Sequence, residues 1–506
     1  MSFTNRIFTS VSICVFVFTA IGVHADEAVI TSAEAVLDKE IRTILNARVC
    51  REGNVGVVVE NLEDGRVVFE YNPDLPLKPA SNQKILTTIG ALGLLSPQYQ
   101  FKTRVFRASD ETNGVLGGDL YIKGGGDPFL VKEEMWLLAD RVAAMGIRHV
   151  KGNIIADGSF FDSVGEPSPD WERIRMPLWY NAPTGGLAFN FNAITVIASP
   201  GAQPGDPVKI SVDPPLECFQ IEGQPTTGPP GSRITLILDI RETEGICHLL
   251  LKGRMPSTCG TQSYYRHINS ADMYAGHAFK YYLEQVGVIV DGTVIRGETP
   301  ESASEIVVHE SEPLYGLLQA ANKYSNNFMI EQIVKTIAAE TVSNPGSTAE
   351  GLEKIKSYFT DIGMDTSGMV LNDGSGLSRS NLVSARQLAR LIEYAVNESH
   401  YGPEFLTTLP VAGVDGTLKK RLKDHPDKRL VRAKTGLINN VVCLSGLVDG
   451  RRGKGLVFSI LINRNHSRHR DSKEVQDEIV EALLTYWKTI NTTGIREGSI
   501  GTENAQ

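Results

Sequence analysis

The feature that most constrains this chain is a serine followed three residues later by a lysine, where a polar loop enters an apolar helical stretch. Ser81 and Lys84 occupy these positions. Because an α-helix has 3.6 residues per turn, this spacing places a hydroxyl and an amine on the same face of one turn. Two further motifs follow in chain order, Ser325-Asn326-Asn327 and Lys434-Thr435-Gly436. Together they predict a serine nucleophile served by lysine side chains.

The three motifs supply the parts that such a nucleophile needs. A serine hydroxyl is weakly nucleophilic until a neighbouring base removes its proton. Lys84 is close enough to Ser81 to be that base, but a solvated lysine has a pKa of about 10.4 and is protonated. Burial and a second cation both lower the pKa of a lysine, and Lys434 is the candidate cation. We expect Ser325 to bridge the two amines and relay a proton to the leaving nitrogen. We expect Asn327 to orient Lys84 and the substrate backbone.

The Lys-Thr-Gly motif also predicts a substrate-binding strand. Lys434 and Thr435 suit a terminal carboxylate, and Gly436 allows a substrate strand to lie close. The backbone N–H groups of Ser81 and Leu437 are the predicted oxyanion hole, where one donor contributes about 3 to 4 kcal/mol. Each motif alone arises by chance in chains of this length, but three in order are much more specific.

The first 25 residues are typical of a secretory signal peptide. Arg6 is their only charged residue, an apolar core runs from Ile7 to Val23, and Ala25 precedes the predicted cleavage site. No later apolar run reaches the roughly 18 residues of a membrane helix, so the mature chain is predicted to have no integral membrane span. We therefore expect an exported protein, periplasmic or otherwise extracytoplasmic, that is soluble or loosely membrane-associated.

Composition argues against several other classes of function. The chain has 50 basic and 59 acidic residues, and this net negative charge argues against a nucleic-acid partner. The histidines show no His-Glu-x-x-His spacing and the cysteines no Cys-x-x-Cys pair, so we expect neither a metal site nor a cofactor. Export permits disulfides, and the stretch that holds Cys218, Cys247 and Cys259 is the expected source of one.

Both ends of the chain have a similar mixture of predicted helices and strands, and they enclose a long segment with a different pattern. Periodicity predicts a helix at Ser32–Leu45, a hairpin of Val442–Val448 with Leu456–Asn463, and a final helix at Glu474–Trp487. Between these ends, short strands such as Ile234–Leu238 dominate about 190–265. We therefore expect an α+β fold in which one split domain carries an insert. The predicted borders are a signal peptide at 1–25, catalytic parts at 26–103 and 313–496, insert parts at 104–190 and 266–312, a small β domain at 191–265 and a tail at 497–506.

The chain resembles the low-molecular-mass class C penicillin-binding proteins, the D-alanyl-D-alanine carboxypeptidase/endopeptidase family. The long gap between Ser81 and Ser325 accommodates the two extra domains that mark this family. The resemblance covers nearly all of the mature sequence. Besides the three motifs, it is carried by Pro79–Lys84, Gly124–Pro128, Asp157–Phe161, Asn372–Arg379 and Leu409–Thr417.

This resemblance implies a penicillin-recognising, transpeptidase or β-lactamase-like domain with helices around an antiparallel sheet. It implies a serine DD-peptidase that acts on peptidoglycan stem peptides as a carboxypeptidase, an endopeptidase or both, with β-lactam antibiotics as covalent inhibitors. An overlapping frame, Tyr324-Ser325-Asn326, fits a pattern of some related enzymes, but the resemblance favours Ser325 with Asn327. It also implies that Asp157 and Arg379 line the pocket for the diamino-acid side chain of the stem peptide.

One residue departs from the family pattern. Leu437 stands where the family usually has threonine or serine after Lys-Thr-Gly. The backbone N–H of the predicted oxyanion hole survives this change, but a hydroxyl that would help to hold the terminal carboxylate is lost. We therefore expect weak carboxypeptidase activity, with relatively better endopeptidase activity.

Two other functions fit parts of the pattern. A β-lactamase needs a fast deacylation base, such as a glutamate in a short loop between the first two motifs, and the sequence offers no convincing candidate. A catalytically silent wall-binding relative would be indicated by a broken motif. Here every motif side chain is intact.

Overall fold

The computed structural model describes residues 30–163, 165, 171, 178–243, 245–463 and 469–498. The predicted signal peptide at 1–25 lies outside these residues, as does the end of the predicted tail. Among the described helices, none is long and apolar enough to cross a membrane. The chain divides into two compact units. The first comprises the described residues of Met1–Asn82, Val383–Gly402 and Leu409–Gln506, and the second comprises those of Gln83–Leu382 and Pro403–Thr408.

Helices and strands are mixed along the described chain. The helices are α1 (30–45), α2 (Arg48–Arg51), α3 (Gln83–Leu95), α4 (Lys132–Ala144), α5 (Ala271–Gln285), α6 (Leu314–Tyr324), α7 (Asn327–Thr341), α8 (Thr348–Asp361), α9 (Ala385–Asn397), α10 (Gly402–Thr408) and α11 (His469–Gly498). The strands are β1 (Asn54–Asn61), β2 (Val67–Tyr71), β3 (Lys102–Arg107), β4 (Glu111–Thr112), β5 (Val115–Leu116), β6 (Leu120–Lys123), β7 (His149–Val150), β8 (Ile154–Asp157), β9 (Ala193–Ser199), β10 (Lys209–Asp213), β11 (Phe219–Glu222), β12 (Thr226–Gly228), β13 (Ile237–Thr243), β14 (Ile246–Lys252), β15 (Arg254–Pro256), β16 (Gln262–His267), β17 (Ile289–Val290), β18 (Val294–Arg296), β19 (Ser304–Glu310), β20 (Val431–Ile438), β21 (Val441–Asp449) and β22 (Gly455–Asn463).

The first unit is built on an antiparallel sheet with the strand order β2-β1-β22-β21-β20. The central strand β22 is buried along its whole length, which explains its almost continuously apolar sequence. On one face of the sheet, Ile41 of α1 and Ile479 of α11 share a core with Ile460 of β22. On the other face α9 packs against the sheet, and Gly56 of β1 lies against Ala385. The sheet is therefore covered by helices on both sides.

The second unit combines packed helices with five sheets among its described residues. Helices α3, α6, α7 and α8 pack against one another. Every residue of α7 from Phe328 to Ala338 is buried, although this stretch includes polar and charged side chains. The longest sheet has the order β18-β8-β6-β3-β19, and β8 packs against α5. Between 193 and 267 the described chain forms the strands β9 to β16. The predicted domain borders stay a prediction.

The expected disulfide is not formed. Cys218, Cys247 and Cys259 are free thiols, as are Cys50 and Cys443. Cys218 and Cys247 lie on neighbouring segments, where the backbone N–H of Cys247 donates to the carbonyl of Cys218 at 2.8 Å. Burial raises the pKa of both thiols, that of Cys218 to about 12, and so disfavours the thiolate through which a disulfide forms.

The packing of the first unit predicts a large cost for truncating its central strand. Ile460 is fully buried in the core shared by the sheet, α1 and α11. We expect Ile460→Ala to lower the free energy of unfolding by about 2 to 5 kcal/mol, because it removes buried methyl groups and leaves a cavity. Urea unfolding followed by circular dichroism measures this cost. Val36→Ala in α1 is the control, since Val36 is 64% exposed; equal midpoints for the two variants would contradict the described core.

Candidate active site

Ser81 lies in a short 3-10 helix that packs against the sheet of the first unit. The 3-10 helix Ala80–Asn82 leads directly into α3, and the side chain of Ser81 is half-buried. Ala80 has a φ of 46°, in the left-handed region that disfavours side chains. Asn82 is fully buried, and its Nδ2 donates to Ser445 Oγ at 2.6 Å. Ser445 pairs with Lys434 across β21 and β20, so this contact fixes the segment beside the Lys-Thr-Gly strand.

The Lys-Thr-Gly strand passes very close to the segment that precedes Ser81. A Cβ atom added to Gly436 would lie 2.7 Å from the carbonyl oxygen of Pro79 and 3.1 Å from Ala80 Cβ. Only glycine fits this approach without movement of the backbone. Lys434 is fully buried, and its Nζ donates to its neighbour's carbonyl, Thr435 O, at 2.9 Å. Leu437 is 44% exposed. Four of the predicted site residues therefore lie on one strand beside the Ser81 segment.

Lys84 is a fully buried lysine in α3 of the second unit. Its Nζ donates to Asn327 Oδ1 and to the carbonyl of Ser375, both at 2.7 Å. Burial lowers the pKa of Lys84 to about 7, although the nearby carboxylates of Asp373 and Glu331 act in the opposite direction. An amine with this pKa is substantially neutral near pH 7, which is the state that a general base requires.

The structure brings Asn327, rather than Asn326, to Lys84. Ser325 ends α6 in a left-handed conformation with a φ of 57°, and Asn327 begins α7. The side chain of Asn326 caps α7 by accepting a hydrogen bond from Met329 N at 3.1 Å. Tyr324 is 77% exposed. Asn327 is therefore the asparagine that contacts Lys84, and the roles that the family resemblance implies for Ser325 and Asn327 stay predictions.

Two buried carboxylates beneath Lys84 escaped the sequence analysis. Glu331 accepts hydrogen bonds from the backbone N–H groups of Gly374 and Ser375, at 3.1 and 2.7 Å. Asp373 accepts from four donors, Gly376 N, Ser378 N, Asn381 Nδ2 and Trp171 Nε1. The only signal for Glu331 was its position one helical turn after Asn327, on the same face of α7. The Asn372–Arg379 segment was noted for its resemblance alone.

Asp157 and Arg379, the residues predicted to bind the substrate side chain, differ in their exposure to solvent. Asp157 ends β8, has no exposed surface, and lies 3.3 Å from Lys123 Nζ. Burial by itself would raise the pKa of Asp157, but hydrogen bonds from Ser159 and Thr299 lower it below its ordinary value. Arg379 is exposed at the end of the Asn372–Arg379 segment. Their predicted contacts with a substrate side chain stay predictions.

Known proteins of one family match this chain over most of its length. A D-alanyl-D-alanine carboxypeptidase of Actinomadura sp. (strain R39) is 34% identical over 466 residues, which cover 89% of this chain and 85% of that protein. The D-alanyl-D-alanine carboxypeptidase DacB of Haemophilus influenzae is 27% identical, with coverage of 85% and 89%.

A solved structure matches the fold as well. The crystal structure of penicillin binding protein 4 (dacB) from Haemophilus influenzae superposes with a TM-score of 0.76 at 26% identity, and the match covers 87% of this chain and 98% of that one. These similarities confirm the predicted α+β fold and the predicted class of serine D-Ala-D-Ala peptidase. The sequence pattern of the D-Ala-D-Ala carboxypeptidase 3 (S13) family matches residues 37–486. The chain therefore belongs to the D-Ala-D-Ala carboxypeptidase 3 (S13) family.

Proposed function

We propose that this protein hydrolyses the D-Ala-D-Ala ends of peptidoglycan stem peptides, or their D-Ala-diamino acid crosslinks, through an acyl-Ser81 intermediate. The observation that carries the proposal is the buried Lys84 amine, held by Asn327 and Ser375, with a pKa of about 7. The predicted signal peptide and the peptidoglycan substrate together favour an extracytoplasmic place of work.

In the proposed reaction Lys84 acts as the general base for Ser81. The neutral amine takes the proton of Ser81 Oγ as this oxygen attacks the carbonyl carbon of the penultimate D-Ala. Such proton transfer contributes about 10²- to 10⁴-fold to the reaction rate. The backbone N–H groups of Ser81 and Leu437 stabilise the oxyanion. Ser325 relays a proton to the leaving nitrogen. Water then releases the acyl group and restores the Ser81 hydroxyl.

Substrate recognition in this proposal uses the Lys-Thr-Gly strand and two more distant residues. Lys434 and Thr435 hold the terminal carboxylate, and Gly436 lets the peptide lie against the strand. Asp157 and Arg379 receive the diamino-acid side chain. Because Asp157 already pairs with Lys123, a substrate amine competes with that lysine for the carboxylate.

β-Lactams are the proposed covalent inhibitors. The Haemophilus influenzae penicillin binding protein 4 has been solved in complex with a novel β-lactam, and that structure superposes with a TM-score of 0.71 at 25% identity. A buried glutamate does lie near Lys84, but both oxygens of Glu331 accept backbone N–H groups. This arrangement does not favour the fast deacylation that a β-lactamase requires.

The covalent step is tested by penicillin labelling. We expect fluorescent penicillin to label the wild-type protein, and mass spectrometry of the digested protein to place the added mass on the peptide that contains Ser81. Ser81→Ala should remove the label while the circular dichroism spectrum is unchanged. Ser302→Ala, at an exposed serine, should label as the wild type does. Labelling of folded Ser81→Ala, or an unmodified Ser81 in folded wild-type protein, contradicts the proposal.

The pH dependence of labelling tests the role of Lys84. Since the base must be neutral and its pKa is about 7, the second-order rate of Ser81 acylation should be low below pH 7 and rise to a plateau above it. Stopped-flow or quenched labelling with fluorescent penicillin gives this profile. Lys454→Met, at an exposed lysine, should leave it unchanged. A rate that falls as the pH rises through 7 would exclude Lys84 as the base.

The balance between the two activities is tested at Leu437. We expect Leu437→Thr to raise the rate of release of the terminal D-Ala from a D-Ala-D-Ala peptide by about 3- to 10-fold, because a hydroxyl contributes about 1 kcal/mol to holding the carboxylate. Leu437→Val is the matched control, because valine has a shape similar to that of threonine but no hydroxyl. Equal hydrolysis rates for the wild type and both variants would remove the argument from Leu437.

A further inference from the structure

A buried carboxylate that the proposed reaction does not use lies beside its general base. Glu331 is fully buried in α7, one turn after Asn327, which accepts a hydrogen bond from Lys84. Its two oxygens accept from the backbone of Gly374 and Ser375. The carbonyl of the same Ser375 accepts the second hydrogen bond of Lys84 Nζ. Glu331 therefore supports one of the acceptors that hold the Lys84 amine.

The same carboxylate also acts on Lys84 through its charge. Ionised Glu331 and Asp373 both favour the protonated form of the buried lysine. Burial raises the pKa of Glu331, and the nearby carboxylate of Asp373 acts in the same direction. The backbone donors of Gly374 and Ser375 oppose this rise.

Charged groups around Glu331 come from three elements of the second unit. They are Lys84 of α3, Lys335 of α7 and Asp373 of the Asn372–Arg379 segment. Lys335 is in turn paired with Asp162. α6 and α8 also pack against α7, and their charged side chains are all at least partly exposed: Lys323, Glu350, Glu353, Lys354, Lys356 and Asp361.

We propose that Glu331 is a positioning residue that holds the Ser375 carbonyl against Lys84 Nζ and whose charge sets the pH at which Lys84 works as a base. This inference rests on the proposed function of Lys84. Glu331 touches neither Ser81 nor substrate in this role and acts only through the lysine. The effect of its charge and its support of the Ser375 carbonyl are separable. Glutamine removes the charge, whereas aspartate keeps the charge on a side chain that is shorter by one methylene group.

Two variants and a control separate charge from support. The measured quantity is the second-order rate of Ser81 acylation by fluorescent penicillin from about pH 6 to 9. In a plot of this rate against pH, the rising limb is the pH range over which the rate increases to its plateau. Glu331→Gln should move the rising limb to lower pH by about 1 unit, since an opposite charge nearby raises the pKa of a lysine by about 1 to 3 units. Glu331→Asp should keep the limb near its wild-type position and lower the plateau. Glu353→Gln, at an exposed glutamate of α8, should match the wild type.

A direct readout of the lysine keeps this test independent of the chemistry on Ser81. The ¹³C resonance of Lys84 Cε, assigned by its loss in Lys84→Met, reports the ionisation of the amine and should show the same downward shift in Glu331→Gln. If the wild type is never acylated, the proposed function fails while this titration still decides the inference.

Specific results overturn the inference. It is wrong if Glu331→Gln and Glu331→Asp lower the plateau equally with no movement of the limb or of the Lys84 resonance, because Glu331 then has a structural role alone. It is also wrong if Glu331→Gln matches the wild type. Should Glu331→Gln fail to fold, Glu331→Asp decides: a lower plateau at an unchanged limb supports the positioning role, and an unchanged plateau overturns it.

Discussion

Burial of the Lys84 amine is the constraint on which the proposed chemistry of this protein depends. Removing an amine from water penalises its charged form, and here that penalty brings the pKa from its ordinary value to about 7. The same burial would leave polar hydrogens without partners, a cost that the side chain of Asn327 and the carbonyl of Ser375 offset. A lysine at this position is therefore both tolerated in the interior and poised to accept a proton.

Helix α7 supplies much of this environment. Asn327, Glu331 and Lys335 recur every four residues and so lie along one face of the helix. Each has a partner: Lys84 for Asn327, the backbone of residues 374 and 375 for Glu331, and Asp162 for Lys335. Next to this face, Gln332 exchanges hydrogen bonds with the backbone of Gly185. A helix buried nearly all round can carry so many polar groups because each is satisfied locally.

Sequence reasoning recovered the elements whose signal is local. Alternation and helical periodicity located the helix at Ser32–Leu45 and the hairpin of β21 and β22, because each buries a regular face. It placed the last helix only at Glu474–Trp487, whereas α11 runs from His469 to Gly498. It began one strand at Ile234, whereas β13 begins at Ile237. At the ends of α11 polar residues take part in the helix without contributing to the apolar pattern.

The candidate site divides in the same way. Ser81, Lys84, Asn327 and Lys434 were predicted because they fall in short motifs of fixed spacing. Glu331 and Asp373 were missed because they come together near Lys84 only in the folded chain. They lie too far apart in the sequence for a short motif to contain both. The disulfide prediction failed for a related reason: cysteine spacing gives no information on how burial changes the chemistry of a thiol.

The protonation state of Lys84 is the most direct test of this view of the site. A neutron crystal structure of the protein exchanged into deuterated solvent, at about pH 9 and so two units above a pKa of about 7, counts the deuterons on Nζ. We predict two deuterons on Lys84 Nζ, directed at Asn327 Oδ1 and the Ser375 carbonyl. Three deuterons would mean a charged ammonium group at that pH, and Lys84 could not be the base that activates Ser81.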